Sequence, residues 1–400
     1  MGITDRCGVG RAGGGGMECG TAEWGGGGAG EAGETAGERP AERPAEEEPA
    51  EEREKHNPAR DLLAAGHLLL GGAWRVREKI GTGGFGQIYS VERTDEAADT
   101  ALWAAKVERA GLDRESISTE VKVLRAMAGK AHFPRLEASG RAWSTTEAGG
   151  RRERLGLVVM ELVSMNLSEL RRSLKAVRLS GLSLRRLGLQ CLDALRDLHQ
   201  AGWLHRDVKP SNWALGLSRD SLRVIKLLDF GLARRFVDGA GAVKPARDRP
   251  GFRGTVRYAS LRAHRGEDLG RSDDLISLWY MLLEMGTGAL PWRRLRAKEA
   301  VQAAKESQSA EQLVQLFRDP LDEGQTGPAR QALRRFHSAL LRLPAEEEPD
   351  YAALHRALRR SLPPPSQLPP LDWERAALRR SLPLPPVPNP NHHRQRPGLN

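Results

Sequence analysis

The sequence predicts an α+β fold in two lobes, a strand-rich part of about 100 residues followed by a longer helix-rich part. Three observations predict it. "AWRVREKIG" and "GQIYSVER" alternate apolar and polar residues on either side of a Gly-rich turn, and "TALWAAKVE" and "LGLVVMEL" read as further strands. "SLRRLGLQCLDALRDLHQ" then places Leu184, Leu187, Cys191, Leu195 and Leu198 at helical spacing. "SDDLISLWYMLLEMG" is apolar on nearly all sides, the pattern of a central buried helix. Among the strands, "DRESISTEVKVLRAMAG" predicts one helix, with Asp113 as its N-cap and Ile117, Val121, Leu124 and Ala128 on one face.

The ends read differently. Residues 1–60 hold GGGG at 13–16 and 25–28 and "ERPAERPAEEEPAEE" at 38–52, with almost no large apolar side chains. Such a segment buries too little surface to offset chain entropy, so a disordered head is expected. The globular domain is expected over 61–362, with a first lobe at about 74–160, a hinge at 161–164 and a second lobe at 165–362. Residues 363–400 form a Pro-rich tail that favours extended conformations. "ALRRSLP" occurs at 357–363 and 377–383, and two copies do not make a repeat architecture.

The formal net charge is +10, while the head is acidic between Glu31 and Lys55, so the body is strongly basic. A basic body suits acidic or phosphorylated partners. It carries no basic stripe interleaved with aromatics, so nucleic acid is not an expected partner. The three cysteines, Cys7, Cys19 and Cys191, form no metal-type pair, which fits a reducing compartment. No apolar run reaches membrane length and no secretory h-region follows the start. A soluble protein of the cytoplasm, with the nucleus as a second location, is expected.

Chemistry concentrates in four places. "LHRDVKPSNWALG" at 204–216 crowds His, Arg, Asp, Lys and Asn into one loop, with Asp207 suited to handle a proton and Asn212 to hold a metal ion. Gly81-Thr-Gly83-Gly-Phe-Gly86 opens a strand, not a helix, which points to a hairpin lid over phosphates rather than a dinucleotide fold. Glycine there permits close backbone approach and positive φ. Lys106 ends "WAAK" on the third strand, and Glu120 lies on the following helix, where it can orient the lysine. In "LLDFGLARRF", Asp229 follows an apolar strand and can bind Mg²⁺ opposite Asn212, with Gly231 giving the chain room to turn.

In this order, these pieces make residues 74–362 resemble a eukaryotic protein kinase domain. "GFRGTVRYASLRAH" at 251–264 and "PDYAALHRAL" at 349–358 resemble the casein kinase 1 superfamily. "HRDVKPSNWALG", "GFRGTVRYAS", "LPWRRLRAKE" and the later "DWE" at 372–374 look most like the tau-tubulin kinase branch.

The resemblance implies a serine/threonine protein kinase that uses ATP and Mg²⁺ on protein substrates, tau or tubulin by the family's name. It implies that Gly81, Gly83 and Gly86 cover the phosphates. Ile88 and Ala104 would contact adenine, beside Met160 as gatekeeper and Glu161 and Leu162 as hinge. Lys106, paired with Glu120, would hold the α- and β-phosphates. Asp207 would accept the substrate proton, Lys209 would contact the γ-phosphate, and Asn212 and Asp229 would hold the metal. Thr255 would brace the catalytic loop and Asp274 would hydrogen-bond its backbone. Arg257 and Lys305 would form a substrate anion site favouring acidic or phospho-primed sequences. Residues 372–374 would dock on the second lobe.

Three departures stand out. Ser260-Leu261-Arg262 replaces the family's Ser-Ile/Val-Asn, Ala214 sits where many kinases carry a larger residue, and the stretch 139–156 is longer and more basic than the family's hairpin and is expected to be floppy. The alternative reading is a kinase-fold scaffold acting through its tail, where Arg380–Pro386 fits the spacing of an SH3 ligand.

Overall fold

The computed structural model describes residues 61–83, 86–95, 103–109, 116–148, 151–218, 221–317, 327–341 and 343–378. The Gly-rich head, the Asp113 cap and the Arg380–Pro386 motif lie outside them.

The first lobe is a six-stranded antiparallel sheet in the order β1-β2-β3-β4-β6-β5. Its strands are β1 (Leu68–Leu69), β2 (Trp74–Gly83), β3 (Gly86–Arg93), β4 (Trp103–Arg109), β5 (Leu136–Ala148) and β6 (Arg151–Glu161). Helix α1 (Ser116–Ala126) packs against it. The two-residue period of a strand explains what goes where. Trp103, Ala105 and Val107 of β4, with Leu155, Leu157 and Val159 of β6, belong to one apolar cluster on one face. Ala104, Val158 and Met160 belong to the other cluster, which continues through α1 into the second lobe. Lys106 shares the alternation of Ala104 and is thereby turned to the inner face.

Two first-lobe features differ from the sequence reading. The lobe starts before residue 74. Leu62 and Leu63 are fully buried in the outer cluster. The Leu62 amide donates to Gln87 Oε1 (2.8 Å) and Tyr89 Oη (2.9 Å), the Leu63 amide donates to Tyr89 Oη (3.0 Å), and Leu62 O accepts from Thr145 N (2.9 Å). Second, the long hairpin expected to be floppy is a regular strand pair over most of its length, β5 with β6, in register on both sides of two irregularities. Ile117, Val121 and Leu124 do face the core, but α1 stops at Ala126, so Met127 is buried and Ala128 is exposed.

The second lobe is built from α2 (Leu167–Ser173), α3 (Gly181–Gln200), α4 (Leu261–His264), α5 (Arg271–Thr287), α6 (Lys298–Glu306), α7 (Ala310–Gln315), α8 (Pro328–Ser338), α9 (Tyr351–Arg359) and α10 (Asp372–Leu378). Two small strand pairs, β7 (Trp203–Leu204) with β10 (Arg234–Arg235) and β8 (Trp213–Leu215) with β9 (Ile225–Leu227), frame the loops between α3 and α4. Leu184, Leu187, Cys191, Leu195 and Leu198 are all buried, and α5 runs through the core with most of its side chains inside. Burial pushes the Cys191 thiol well up, as for an inert core thiol. Among the described residues, no helix is long and apolar enough to cross a membrane.

The segment expected to open a Pro-rich tail is part of this lobe. Leu371 and Trp373 are fully buried, and Trp373 Nε1 donates to Leu222 O (2.9 Å). Asp372 accepts from Ser180 N (2.7 Å) and Ser180 Oγ (3.0 Å), a carboxylate at the positive end of α3.

Candidate active site

The loop between β7 and β8 carries Asp207, Lys209 and Asn212. Asp274, buried near the start of α5, holds this loop from below. Its Oδ2 accepts from His205 N (2.7 Å) and His199 Nε2 (2.9 Å), and its Oδ1 accepts from Arg206 N (2.7 Å). Burial opposes the Asp274 charge, but these bonds and the neighbouring histidines outweigh it and hold the carboxyl below the usual range. Arg206 is held in the left-handed region (φ 67°), and Gly254 lies against its carbonyl so closely that a Cβ there would meet Arg206 O at 2.5 Å.

Asp207 is buried, and both of its carboxylate oxygens are engaged. Oδ1 accepts from Thr255 Oγ1 (2.7 Å), while Oδ2 accepts from Lys209 Nζ (2.6 Å) and, more weakly, from Asn212 Nδ2 (3.4 Å). Lys209 also donates to Thr255 Oγ1 (3.2 Å). His205 Nε2 lies 3.0 Å from Leu228 O, and its Nδ1 accepts from Asp207 N (3.2 Å). Only one neutral tautomer satisfies both contacts, with the proton on Nε2.

Opposite the loop, Lys106 Nζ donates to Glu120 Oε2 (2.6 Å) and Asp229 Oδ1 (2.8 Å), so β4, α1 and the segment after β9 meet on one ammonium. Burial alone would lower the Lys106 pKa. Glu120 and Asp229 together outweigh that and hold it above its ordinary value. Burial likewise works against the Asp229 charge, yet Lys106, helped by His205 and Lys209, keeps that carboxyl below the usual range. Phe230 next to it is fully buried against Phe133 (5.9 Å between ring centroids) and edge-on to His205 (5.5 Å).

Asp229 and Asn212 suit a divalent cation. The Asn212 amide nitrogen is committed to Asp207 O (2.9 Å), which leaves its amide oxygen as the free donor. Asp229 uses only Oδ1, toward Lys106. These are few, hard oxygen donors in a partly exposed place, a set that suits a cation retaining water and phosphate in its shell. Among the described residues, no group of three or more His, Cys, Asp or Glu is arranged to hold a metal without such outside ligands. Ala104 and Met160 are buried in one cluster, with Ile88 and Leu162 half-buried at its edge, next to the end of β6. The Glu161 side chain accepts from Lys226 Nζ (2.9 Å) and Arg135 N (3.1 Å), and its backbone N–H donates to Arg135 O (2.9 Å).

Several expectations need correction. None of Gly81, Gly83 and Gly86 has a positive φ. Gly86 is required by contact instead, because a Cβ there would lie 2.1 Å from Val107 O, whereas Gly83 faces open space. At Gly231 a Cβ would lie 3.0 Å from Ser116 Cβ, so the glycine does give room, while the positive φ in this segment belongs to Asp229 (φ 62°). Lys305, expected in a substrate anion site, is buried and spends its ammonium on the carbonyls of Val256 (2.9 Å) and Ala259 (2.6 Å), so no substrate anion reaches it. Arg257 is half-exposed and already faces Glu284 Oε1 at 3.8 Å. The sequence reading missed Glu108, a buried carboxylate that accepts from Ser116 Oγ (2.5 Å) and Ile117 N (3.0 Å) and so caps α1. It also missed Glu284, which accepts from the Tyr258 hydroxyl. A lone glutamate in an apolar strand or a buried helix was the available signal in both cases.

A two-lobed fold with this constellation between a Gly-rich hairpin and a charged loop defines a phosphotransferase of the protein kinase class. The protein kinase domain family matches residues 74–346, and the chain belongs to that family. It is 37% identical over 313 residues to a probable serine/threonine-protein kinase of Dictyostelium discoideum, covering 78% of this chain and 58% of that one. It is 32% identical over 302 residues to a candidate casein kinase I of Caenorhabditis elegans, covering 75% and 83% of the two chains. It is 36% identical over 224 residues to the serine/threonine-protein kinase spe-6 of Caenorhabditis elegans, covering 56% and 55%. The chain thus spans little more than half of the first and third of these relatives. The relatives named in this comparison include serine/threonine-protein kinases.

Proposed function

We propose that this kinase is of the casein kinase 1 type, with the motifs of the tau-tubulin kinase branch, and acts with ATP and Mg²⁺ on acidic or phospho-primed proteins, cytoskeletal ones among them. The observation that carries its chemistry is the Asp207 carboxylate, gripped by Thr255, Lys209 and Asn212 and facing the Lys106–Asp229 pair.

Each residue has a task set by its surroundings. Lys106, held by Glu120, lends its charge to the phosphates that do not transfer. Asp207 keeps a free lone pair on Oδ1, which has a single donor, and receives the proton of the incoming serine or threonine hydroxyl there. Lys209 sits 2.6 Å from the same carboxylate, where its charge can follow the transferring phosphoryl group. Asn212 and Asp229 would hold the metal. A cation held there would supply positive charge against the negative charge that develops on the transferring phosphate. The protein's remaining contribution is preorganisation: Asp274 and Thr255 hold the loop so that little rearrangement precedes the chemical step.

The half-exposed Arg257, close to Thr255, supports the preference for anionic substrates. The scaffold reading is not favoured, because Lys106, Asp207, Asn212 and Asp229 are all in place. Cytoplasmic residence, with the nucleus second, and an SH3-type partner for the tail are part of the proposal on the sequence grounds above.

The deciding experiment is transfer of labelled phosphate from ATP to a mixed protein substrate, beside an Asp207→Asn control. Loss of the positioned base should lower turnover by ~10²–10⁴-fold and leave nucleotide affinity nearly unchanged. A variant that keeps more than about a tenth of wild-type turnover would remove Asp207 from the role of base.

A further inference from the structure

The chain from Thr255 to Ser260, between β10 and α4, belongs to no strand or helix, so its carbonyls need partners from elsewhere. Thr255 O accepts the amides of Tyr258 (2.9 Å) and Ala259 (3.1 Å). Arg257 O accepts from Trp292 Nε1 (2.9 Å). Val256 O and Ala259 O both go to one atom, Lys305 Nζ, at 2.9 and 2.6 Å. That ammonium reaches them from α6 and meets His264 Nε2 at 3.1 Å in a third direction. It also lies over the rings of Tyr280 (4.8 Å to the centroid) and Trp292 (5.4 Å).

A lysine buried in this way is costly, since no carboxylate is bonded to it. The groups around it are His264 from α4, Tyr280 from α5 and Trp292 from the turn after α5. Glu306, the next residue, pairs instead with Arg265 (3.2 Å). Burial accordingly draws the Lys305 pKa down to about 7. Donor geometry accounts for the residue. A primary amine at the end of a four-carbon stem can serve two diverging carbonyls from one point, and its neutral form still carries two N–H donors for them while accepting from His264.

Those two carbonyls bracket Arg257 and Tyr258 and follow directly on Thr255, which bonds Asp207 Oδ1 at 2.7 Å. A protein that presents a hydroxyl to Asp207 has to lie along this stretch. We infer that Lys305 is a positioning residue for substrate: it clamps Val256–Ala259 from beneath and so sets the register of an incoming chain relative to Asp207. This rests on the kinase reading for its kinetic consequence but not for its structural one.

The test uses the full chain with Lys305→Met, which keeps the stem and removes the donors, and Lys305→Gln, which keeps a two-hydrogen donor. Amide exchange read by mass spectrometry should speed up ~10-fold or more across 252–260 in Lys305→Met, stay at the wild-type rate in β2 and β3, and fall in between for Lys305→Gln. In steady-state kinetics with a serine peptide, Lys305→Met should raise the peptide KM ~10-fold and leave the KM for ATP within about twofold. Unchanged exchange at 252–260 overturns the inference. So does a rise of both KM values together, or a fall in kcat alone. If Lys305→Met fails to fold, Lys305→Gln carries the test, and failure of both would assign Lys305 to core stability instead. An inactive wild type would defeat the kinase reading while leaving the exchange result to stand.

Discussion

Arg262 Nη1 lies 3.1 Å from Asp273 Oδ2 and 3.3 Å from Ser272 Oγ, while its Nη2 donates to Leu343 O (3.2 Å). One guanidinium thus joins α4, the first turn of α5 and the chain after α8. Burial pushes the Asp273 carboxyl up, and Arg262 is the charge that opposes this. The arginine that departs from the family's asparagine is therefore built into the structure. Arg262→Ala should leave a buried carboxylate short of its cation and lower stability by about 1–3 kcal/mol. Thermal unfolding measures it, and Arg262→Asn should fall nearly as far, since its amide is too short to reach the same three groups. A melting temperature within about 1 °C of wild type for both would show that the contact carries nothing.

The domain boundary can be tested from the N-terminal side. A chain beginning at His56 should match the full protein in melting temperature and turnover. A chain beginning at Gly66 loses Leu62 and Leu63, each worth roughly 1.5–3 kcal/mol of burial. It also takes two backbone donors from Tyr89 and one from Gln87 behind the Gly-rich hairpin. Its melting temperature should drop clearly, and equal melting of the two shortened chains would refute Leu62–Leu63 as a strap on the first lobe.

Trp373 offers the matching test at the other end. The side chain is fully buried and its indole N–H is satisfied. Trp373→Ala should cost about 3–5 kcal/mol in denaturant unfolding. A chain ending at Leu362 should be destabilised at least as much, whereas one ending at Leu378 should not.

Asp268 gives stability a pH dependence. Arg234 Nη1 donates to both of its oxygens (2.7 and 2.8 Å), and Arg247 adds Nη2 (2.8 Å) and its backbone N–H (3.0 Å). Burial opposes the charge, but the two arginines outweigh it and pull the carboxyl to about 2, from an ordinary 3.8. A folded-state pKa below the unfolded one means that the stabilisation is complete above about pH 4–5 and disappears as pH falls through about 2. Asp268→Asn should therefore lower stability by roughly 1–2 kcal/mol at neutral pH, allowing for partial solvent screening. The gap between wild type and variant should narrow from pH 5 toward pH 3. A gap independent of pH would mean that shape, not charge, holds the arginines.

Arg257 separates substrate preference from basal catalysis. With Glu284 Oε1 at 3.8 Å and Arg293 O at 3.3 Å already sharing the guanidinium, a substrate phosphate gains only part of a charge-assisted contact. Arg257→Ala should slow a phospho-primed peptide ~10-fold more than its unprimed counterpart, and less so in high salt. Equal slowing of both peptides would place the anion contact elsewhere.

Much of the site was legible because phosphoryl transfer asks for particular residue types in a particular chain order. Lys106, Glu120, Asp207, Asn212 and Asp229 are each ordinary alone, and the spacing of all five is what singles them out. The strap at Leu62–Leu63 was illegible, since two leucines show no period. β5 was hidden because "LEASGRAWSTTEA" at an edge of the sheet lacks a clean alternation, and its partner is found only in space.

By itself, the sequence determined the two-lobed α+β class and the protein kinase family, and it singled out the positions proposed to carry the chemistry, because local period and motif order are properties of the chain. Only the tertiary structure decided which cations are free to act. Lys305 and Arg257 look alike on paper, two basic residues near an expected substrate cleft. Lys305 is turned inward beneath Val256 and Ala259, whereas Arg257 is held at the surface beside Glu284. The physical reason is that burial and donor geometry depend on partners 46 and 49 positions away for Lys305, and no local pattern encodes such distances.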